Sequence, residues 1–222
     1  MDTLQAQAIA LAIIILLIAV AIGLFLLVFY PPTNIRKTQY DLRKITINDI
    51  DKMKDGSGFE HYLFVLFTAI GYENTYITQQ SRDFGADVIF KDRQGNRTVI
   101  QAKRIKEGNS LNMDALQQAY TAQPFYSCTK GLVITSTTNI SAGSKKLGTA
   151  CNINIIDRND LKKIITFFKK GQYSSIKDII EREPKKVTYT PKDYITSPNI
   201  TKAKISSGEY FYKLPVTKKK TG

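Results

Sequence analysis

Asp83-Phe84-Gly85-Ala86-Asp87-Val88-Ile89-Phe90 and Thr98-Val99-Ile100-Gln101-Ala102-Lys103-Arg104 flank the turn sequence Asp92-Arg93-Gln94-Gly95-Asn96, and the three read as one β-hairpin. Asp suits the first turn position, and Gly suits the position where φ is positive. With Asp92 facing Asn96, paired residue numbers sum to a constant, so Asp87 is expected opposite Gln101 and Gly85 opposite Lys103. Side chains alternate along a strand. Gln101 and Lys103 therefore share one face while Ile100 and Ala102 take the other. An acid, an amide and an amine then meet on one face of two neighbouring strands. A bulge would slip this register by one.

Taken singly, Asp and Lys on strands are usually solvated; the set is more specific. An Asp at a strand start, followed on the next strand by Gln-x-Lys between apolar residues, resembles the catalytic hairpin of the PD-(D/E)xK nucleases. The form Asp-x-Gly-x-Asp-Val…Gln-x-Lys-Arg, here Asp83 to Val88 and Gln101 to Arg104, resembles the catalytic domain of the Mrr restriction endonuclease family. The resemblance runs from about Ile45 to Phe168. It takes in Phe59-Glu60 at a helix start, Leu66-Phe67 and Gly71-Tyr72 near its end, and Gly131-Leu132-Val133-Ile134-Thr135 further on.

The resemblance implies hydrolysis of DNA phosphodiester bonds, in restriction of foreign or modified double-stranded DNA. Asp87, the side-chain carbonyl of Gln101 and the backbone carbonyl of Ala102 would form an all-oxygen site suited to Mg²⁺ or Mn²⁺. Lys103 would hold the attacking water and stabilise developing negative charge. Glu60 matches the acidic residue of the family's first helix and completes a catalytic set of Glu60, Asp87, Gln101 and Lys103. Asp83 is the weaker acid, placed where it can cap a turn. Most of the superfamily carries Asp or Glu where Gln101 stands. The neutral amide lowers the site's charge by one, although the Mrr group accepts it.

A net charge of +13 suits a polyanion or an anionic surface without choosing between nucleic acid and lipid. The single histidine, His61, argues against histidine-based catalysis and is expected to pack on its helix. Cys128 and Cys151 form no metal pattern and no disulfide framework. Hydrolytic chemistry must then run on carboxylates, amides and lysine.

Ala8 to Tyr30 is a run of apolar residues interrupted only by Gly23 and ended by Tyr30, long enough to cross a bilayer as a helix. A signal peptide would want a basic start, and Met1-Asp2-Thr3 has none. Arg36, Lys37, Arg43 and Lys44 all follow the run, which places the C-terminal domain in the cytoplasm as a single-pass cell-membrane protein. Pro31-Pro32 ends the helix.

The pattern from Ile45 onward is that of an α/β domain. Helices are expected over Thr46–Lys54, Gly58–Ile70 (capped by a Ser57–Glu60 box and apolar nearly all round), Met113–Tyr126 after an Asn112 cap and shortened by Pro124, Ser141–Thr149, and Leu161–Lys170 after an Asp160 cap. Strands are expected over Thr75–Thr78, in the hairpin, and over Gly131–Thr135 and Ile153–Ile156. This order gives a restriction-endonuclease-like mixed sheet flanked by helices, preceded by one transmembrane helix. The chain divides into an anchor (1–32), a basic linker (33–44), a nuclease domain (45–170) and a basic extension (171–222), partly disordered, with one more helix over Ile176–Glu183. Arg104, Lys106, Lys145 and Lys146 are candidate DNA contacts. Tyr189, Tyr194, Tyr210, Phe211 and Tyr212 among lysines suit either nucleic acid or packing.

Two further readings stand beside the nuclease. One is a DNA-binding tether that keeps the fold without turnover, motivated by the charge and by Gln101. The other is a structure-specific nuclease acting on junctions or in repair. A homodimer is compatible with cutting both strands.

Overall fold

The computed structural model describes residues 3–29, 41–79, 84–106, 108–184, 187–190, 200–201, 204–207 and 210–213. The chain divides into two compact units, Met1–Tyr40 and Asp41–Gly222.

The first unit contains the helix α1, Thr3–Phe29, of 27 residues. At 1.5 Å per residue its backbone is about 40 Å long. Its described side chains run unbroken only from Leu11 to Phe25, and among the described residues no helix is long and apolar enough to cross a membrane. The span expected over Ala8 to Tyr30 lies partly outside the described residues.

The second unit is built on a five-stranded sheet of order β1-β2-β3-β4-β5, comprising Glu73–Ile77, Val88–Lys91, Arg97–Lys103, Lys130–Thr135 and Ile153–Ile156. β1, β2 and β3 pair antiparallel, and β3, β4 and β5 pair parallel, as the alternation of strands and helices predicts. One face carries Val88, Phe90, Ile100, Ala102, Leu132, Ile134 and Ile156. It is covered by α2 (Ile47–Asp51), α3 (Gly56–Ala69), α6 (Arg158–Lys169) and α7 (Tyr173–Ile180). The other face carries Ile89, Val99, Val133 and Ile153 under α4 (Asp114–Phe125) and α5 (Ala142–Ala150). Small residues on the inner side of α4, Ala115, Ala119 and Ala122, let that helix lie close on the sheet.

The hairpin register is the expected one: Val88 pairs Ile100, Phe90 pairs Thr98, and the Asp92 N–H donates to the Asn96 carbonyl. The slip comes at its open end. The Asp87 N–H also donates to the carbonyl of Ile100, so Asp87 and Val88 both face one residue, the pattern of a β-bulge.

Several caps differ from the sequence reading. Asp55, not Ser57, caps α3 by accepting from the Gly58 N–H, which moves Glu60 out of the capping position. The reciprocal box forms instead at α2, where Asp49 accepts from the Thr46 backbone and hydroxyl. Asp157, not Asp160, caps α6, accepting from the N–H groups of Asn159 and Asp160; Asp160 lies in the first turn and pairs with Arg182. α4 is flanked by Met113 rather than capped by Asn112, and runs one residue past Pro124. α3 is buried on one side only, with His61, Val65, Thr68 and Ala69 exposed. α7 starts three residues early, buries Ile176 and Ile180 in the main core, and so packs as part of the sheet's cover. Within the extension, Ile200–Thr201, Lys204–Ser207 and Tyr210–Lys213 form a three-stranded antiparallel sheet, β6-β7-β8, where the sequence signalled only a tail.

Candidate active site

The open end of the hairpin gathers the polar residues the sequence singles out. Asp87 and Gln101 are each only 4% exposed. Asp87 Oδ2 accepts from Gln101 Nε2 at 2.6 Å and from the Ala102 N–H at 2.6 Å. Gln101 Nε2 also lies 3.5 Å from the Ala102 carbonyl. The other end of that amide, Oε1, is buried with no hydrogen-bond partner. The bulge accounts for this meeting, since it turns the Asp87 carboxylate onto the β3 backbone instead of leaving it strictly across from Gln101.

The position of Asp87 is fixed from both sides. Its carbonyl accepts from the Thr78 N–H at 3.0 Å, next to β1. Two residues earlier, Gly85 has φ +86°, and a Cβ there would stand 2.6 Å from the carbonyl oxygen of Gln118 in α4. Only glycine allows the chain to pass so near the helix in this conformation.

Lys103 ends β3, half-buried, on the Gln101 side of the strand. Its carbonyl accepts from Thr135 Oγ1 at 2.9 Å and from the Ser136 N–H at 3.2 Å. Ser136 Oγ then accepts from the Ile105 N–H and donates to the Ile105 carbonyl. Thr135 ends β4, and Ser136 and Thr137 follow it, all three buried. From the sequence, Thr135 is expected in the strand, and Ser136 and Thr137 are given no part. Their signal was the run Thr-Ser-Thr where a solvent loop would not need three consecutive short hydroxyls.

Arg104 leaves on the opposite side. Its guanidinium donates to the carbonyls of Asp51 and Asp55, tying the start of α3 to the exit of β3. Arg158 reinforces that corner, donating to both carboxylate oxygens of Asp51, at 2.6 and 2.5 Å, and to the Ser136 carbonyl. This hydrogen bond holds the Asp51 carboxyl below the usual carboxylate range. Glu60 rises half-buried from α3, on the sheet face opposite to Gln101 and Lys103, with Oε1 folded back toward Gly56. Lys103, Arg104, Lys106, Asn109, Asn112 and Asp114 are among the residues lining an open cleft of about 480 Å³ at this end of the sheet. Lys106, Lys145 and Lys146 are exposed; Asp83 and Tyr194 lie outside the described residues.

The donors fit a hard divalent cation. Among the described residues no cluster of three or more His, Cys, Asp or Glu exists. A cation would rest on one carboxylate, one amide and one backbone carbonyl, all oxygen. Gln101 Oε1 is buried and unpartnered, but the amide turns its nitrogen, not that oxygen, to Asp87, so the oxygen set is complete only with the amide turned over.

An acid on a bulged strand start, with an amide and a lysine two residues apart on the next strand of a mixed sheet, defines a domain of the PD-(D/E)xK nuclease type. The family model described as restriction endonuclease, the Mrr catalytic domain, matches residues 50–165. The chain belongs to that family. Solved structures with a similar arrangement include the DNA modification-dependent restriction endonuclease AspBHI, at 15% identity over 64% of this chain and 40% of that one, TM-score 0.42. MspJI restriction endonuclease in complex with a 27-mer oligonucleotide is similar at 16% identity over 66% of this chain and 37% of that one, TM-score 0.39. The ATP-dependent Type ISP restriction-modification enzyme LlaBIII bound to DNA is similar over 54% of this chain but only 8% of its own, at 16% identity and TM-score 0.40. No curated protein matches.

Proposed function

We propose that this chain is a membrane-anchored, metal-dependent endodeoxyribonuclease that restricts foreign or modified DNA, with Asp87, Gln101 and Lys103 at its active site and Glu60 in support. The observation that carries this reading is the buried contact of Asp87 with Gln101 and the Ala102 backbone, beside a lysine at the mouth of an open cleft.

Asp87, Gln101 and the Ala102 carbonyl would hold Mg²⁺ or Mn²⁺, which would supply positive charge against the scissile phosphate and the attacking water. Lys103 would donate to that water and to the phosphoryl oxygens, orienting the attack and offsetting the charge that builds there. As the water oxygen bonds to phosphorus, the P–O bond to the leaving sugar oxygen breaks, solvent accepting the water's proton and protonating the leaving oxygen. The backbone bonds from Thr135 and Ser136 keep β3 from shifting while Lys103 does this. Glu60 stands on the helix that Arg104 ties to the same end of the sheet, on the face away from Gln101 and Lys103, so its support is to that corner and not as a ligand of the cation. Lys106, Lys145 and Lys146 contact phosphates electrostatically. The test is plasmid cleavage by the full chain with Mg²⁺ or Mn²⁺. Asp87→Ala and Lys103→Ala should each abolish it, and cutting that survives both changes ends the reading.

The anchor is the apolar run of residues 8–30 in a lipid bilayer, carried by α1 as far as Phe29, with the C-terminal domain in the cytoplasm. Its described large apolar side chains from Ile9 to Phe25 are each at least 51% exposed, which suits lipid and not water. Fractionation showing the chain in the soluble pool would refute the anchor. The uncharged outer side of α4, from Gln117 to Phe125, suits a second copy, because two chains of +13 can approach there without like-charge contacts. Phe84 and Phe125 stack on it at 4.0 Å, each more than half exposed. A second functional reading, DNA binding without turnover, is favoured by the single carboxylate of the Asp87–Gln101–Ala102 set; metal-independent, salt-sensitive binding with no nicking would select it.

A further inference from the structure

The Gln101 amide has two unlike ends, and the site constrains both. An oxygen 2.6 Å from a carboxylate oxygen would set two acceptors against each other, so the NH₂ end is the one that can face Asp87. That same nitrogen approaches the Ala102 carbonyl at 3.5 Å. Nε2 thus stands between two oxygens that the nuclease reading assigns to the cation. Oε1, at the other end, is buried and unpartnered. Turning the amide over exchanges which end is orphaned without removing the orphan. The two orientations therefore differ chiefly in what is presented to Asp87 and Ala102: a donor, which joins the Ala102 N–H on Asp87 and lies 3.5 Å from the Ala102 carbonyl, or an oxygen, which requires a cation beside it.

We propose that Gln101 is a neutral placeholder for the divalent cation. Its NH₂ group compensates Asp87 and the Ala102 carbonyl in the metal-free chain, and the amide turns its oxygen inward when the ion enters. The proposal rests on the metal-dependent reading above and goes beyond it, because it assigns Gln101 a role in the absence of metal. A glutamate at 101 would be a stronger ligand but a poor placeholder, since without a cation it sets a second carboxylate against Asp87 in a buried site. Gln at this position gives weaker affinity and a site that stays intact between loadings.

The test compares the full chain with its Gln101→Glu variant, in EDTA and in millimolar Mg²⁺, by thermal melting. In EDTA the variant should melt about 5 °C or more below wild type, since it loses a charge-assisted buried hydrogen bond. Mg²⁺ should raise the variant's melting temperature more than the wild type's. A variant at least as stable as wild type in EDTA overturns the placeholder. A second measurement guards against a variant that does not fold. In ¹⁵N spectra of wild type, the Gln101 side-chain NH₂ pair should exchange slowly in EDTA and shift on Mg²⁺ addition. If that pair stays fixed while the Ala102 backbone amide responds to Mg²⁺, the placeholder is wrong and the metal site stands. If neither responds and Mn²⁺ also has no effect, the metal-dependent reading itself fails, and this inference with it.

Discussion

Gly85→Ala is the sharpest test of how the active-site acid is positioned. The added Cβ would lie 2.6 Å from the Gln118 carbonyl oxygen, 2.9 Å from its carbon and 3.0 Å from its Cα, all backbone of α4, where no rotamer change gives relief. The left-handed conformation costs an alanine about 1–2 kcal/mol, and forcing a packed helix to move adds about 1–3 kcal/mol. The stiffer unfolded chain returns roughly 0.4–1 kcal/mol. The expected loss is about 2–4 kcal/mol, or roughly 5–15 °C in melting temperature for a domain of this size. Gly71→Ala is the control: its φ is +80°, but nothing lies within 4 Å of the added atom, so only the conformational cost of about 1 kcal/mol applies. The chain has no tryptophan, so circular dichroism is the probe. If Gly85→Ala and Gly71→Ala melt within a degree of each other, the close approach of the Asp87 loop to α4 is not what fixes it. Where Gly85→Ala remains folded, plasmid cleavage should still fall at least tenfold, since a displaced Asp87 loses its hold on the Ala102 N–H.

Asp51 gives a pH dependence. Arg158 lowers its folded pKa below the unfolded value near 3.8, so its stabilising contribution is present above that pH and is lost as pH falls through the folded value. Asp51→Asn should therefore narrow the stability difference between pH 6 and pH 3; an unchanged acid melting profile would refute this. Arg93 pairs with Asp178 and Glu181 at 2.7 Å each, fastening α7 to the hairpin turn. Arg93→Ala should cost about 2 kcal/mol, because the Glu181 carboxylate is left nearly buried without its cation. Hydrogen exchange over 173–180 should rise before the rest of the sheet, and uniform protection would count against the clamp. Lys106→Ala should reduce the salt dependence of DNA binding by about one counterion. Arg104→Ala should instead lower stability, since its guanidinium holds the Asp51 and Asp55 carbonyls; the reverse pattern would reassign Arg104 to phosphate. Finally, Phe84→Ser with Phe125→Ser should convert a dimer to a monomer by light scattering, and a wild-type monomer would remove α4 as a self-association face.

The sheet was legible in the sequence because its signals are local. Asp92 and Asn96 lock the turn, and once they face each other every pair down to Val88–Ile100 follows. The bulge at Asp87 was not legible, because it is decided by neighbours distant in sequence: Thr78 takes the Asp87 carbonyl, and Gln118 limits where Gly85 can pass. The caps were misplaced as well. Asp157 and Asp160 are both competent N-caps by residue type; β5 runs to Ile156 and α6 starts at Arg158, so Asp157 takes the cap and Asp160, inside the first turn, pairs with Arg182. Glu60 looks like a capping-box residue because it stands three after Ser57, yet Asp55 caps the helix two residues earlier. Arg104 was read as a candidate phosphate ligand from its place after Lys103; its tie to two carbonyls of the α2–α3 corner depends on a fold that residue order alone does not reveal.

The two ends of the sheet are held by different chemistry, and that difference bears on function. At the turn end, charge holds the structure: Arg93 with Asp178 and Glu181, and Lys130 with Asp92 and Glu183. The buried Tyr72 hydroxyl adds a donor to Glu181, its own pKa pushed far up by burial. At the working end, the strand exits are held mainly by hydroxyls and backbone, through Thr135, Ser136 and the carbonyls that Arg104 and Arg158 reach. Asp51 is the carboxylate that Arg158 engages there, and it lies on the far side of β3 from Lys103. A site that received both a cation and a phosphate, as proposed, would gain from this arrangement. Carboxylates used as scaffold beside Asp87 would compete for the cation, and scaffold lysines would compete for Asp87. Thr135 and Ser136 fix the backbone without entering that competition, and the guanidinium groups of Arg104 and Arg158 are turned instead to backbone carbonyls and to Asp51.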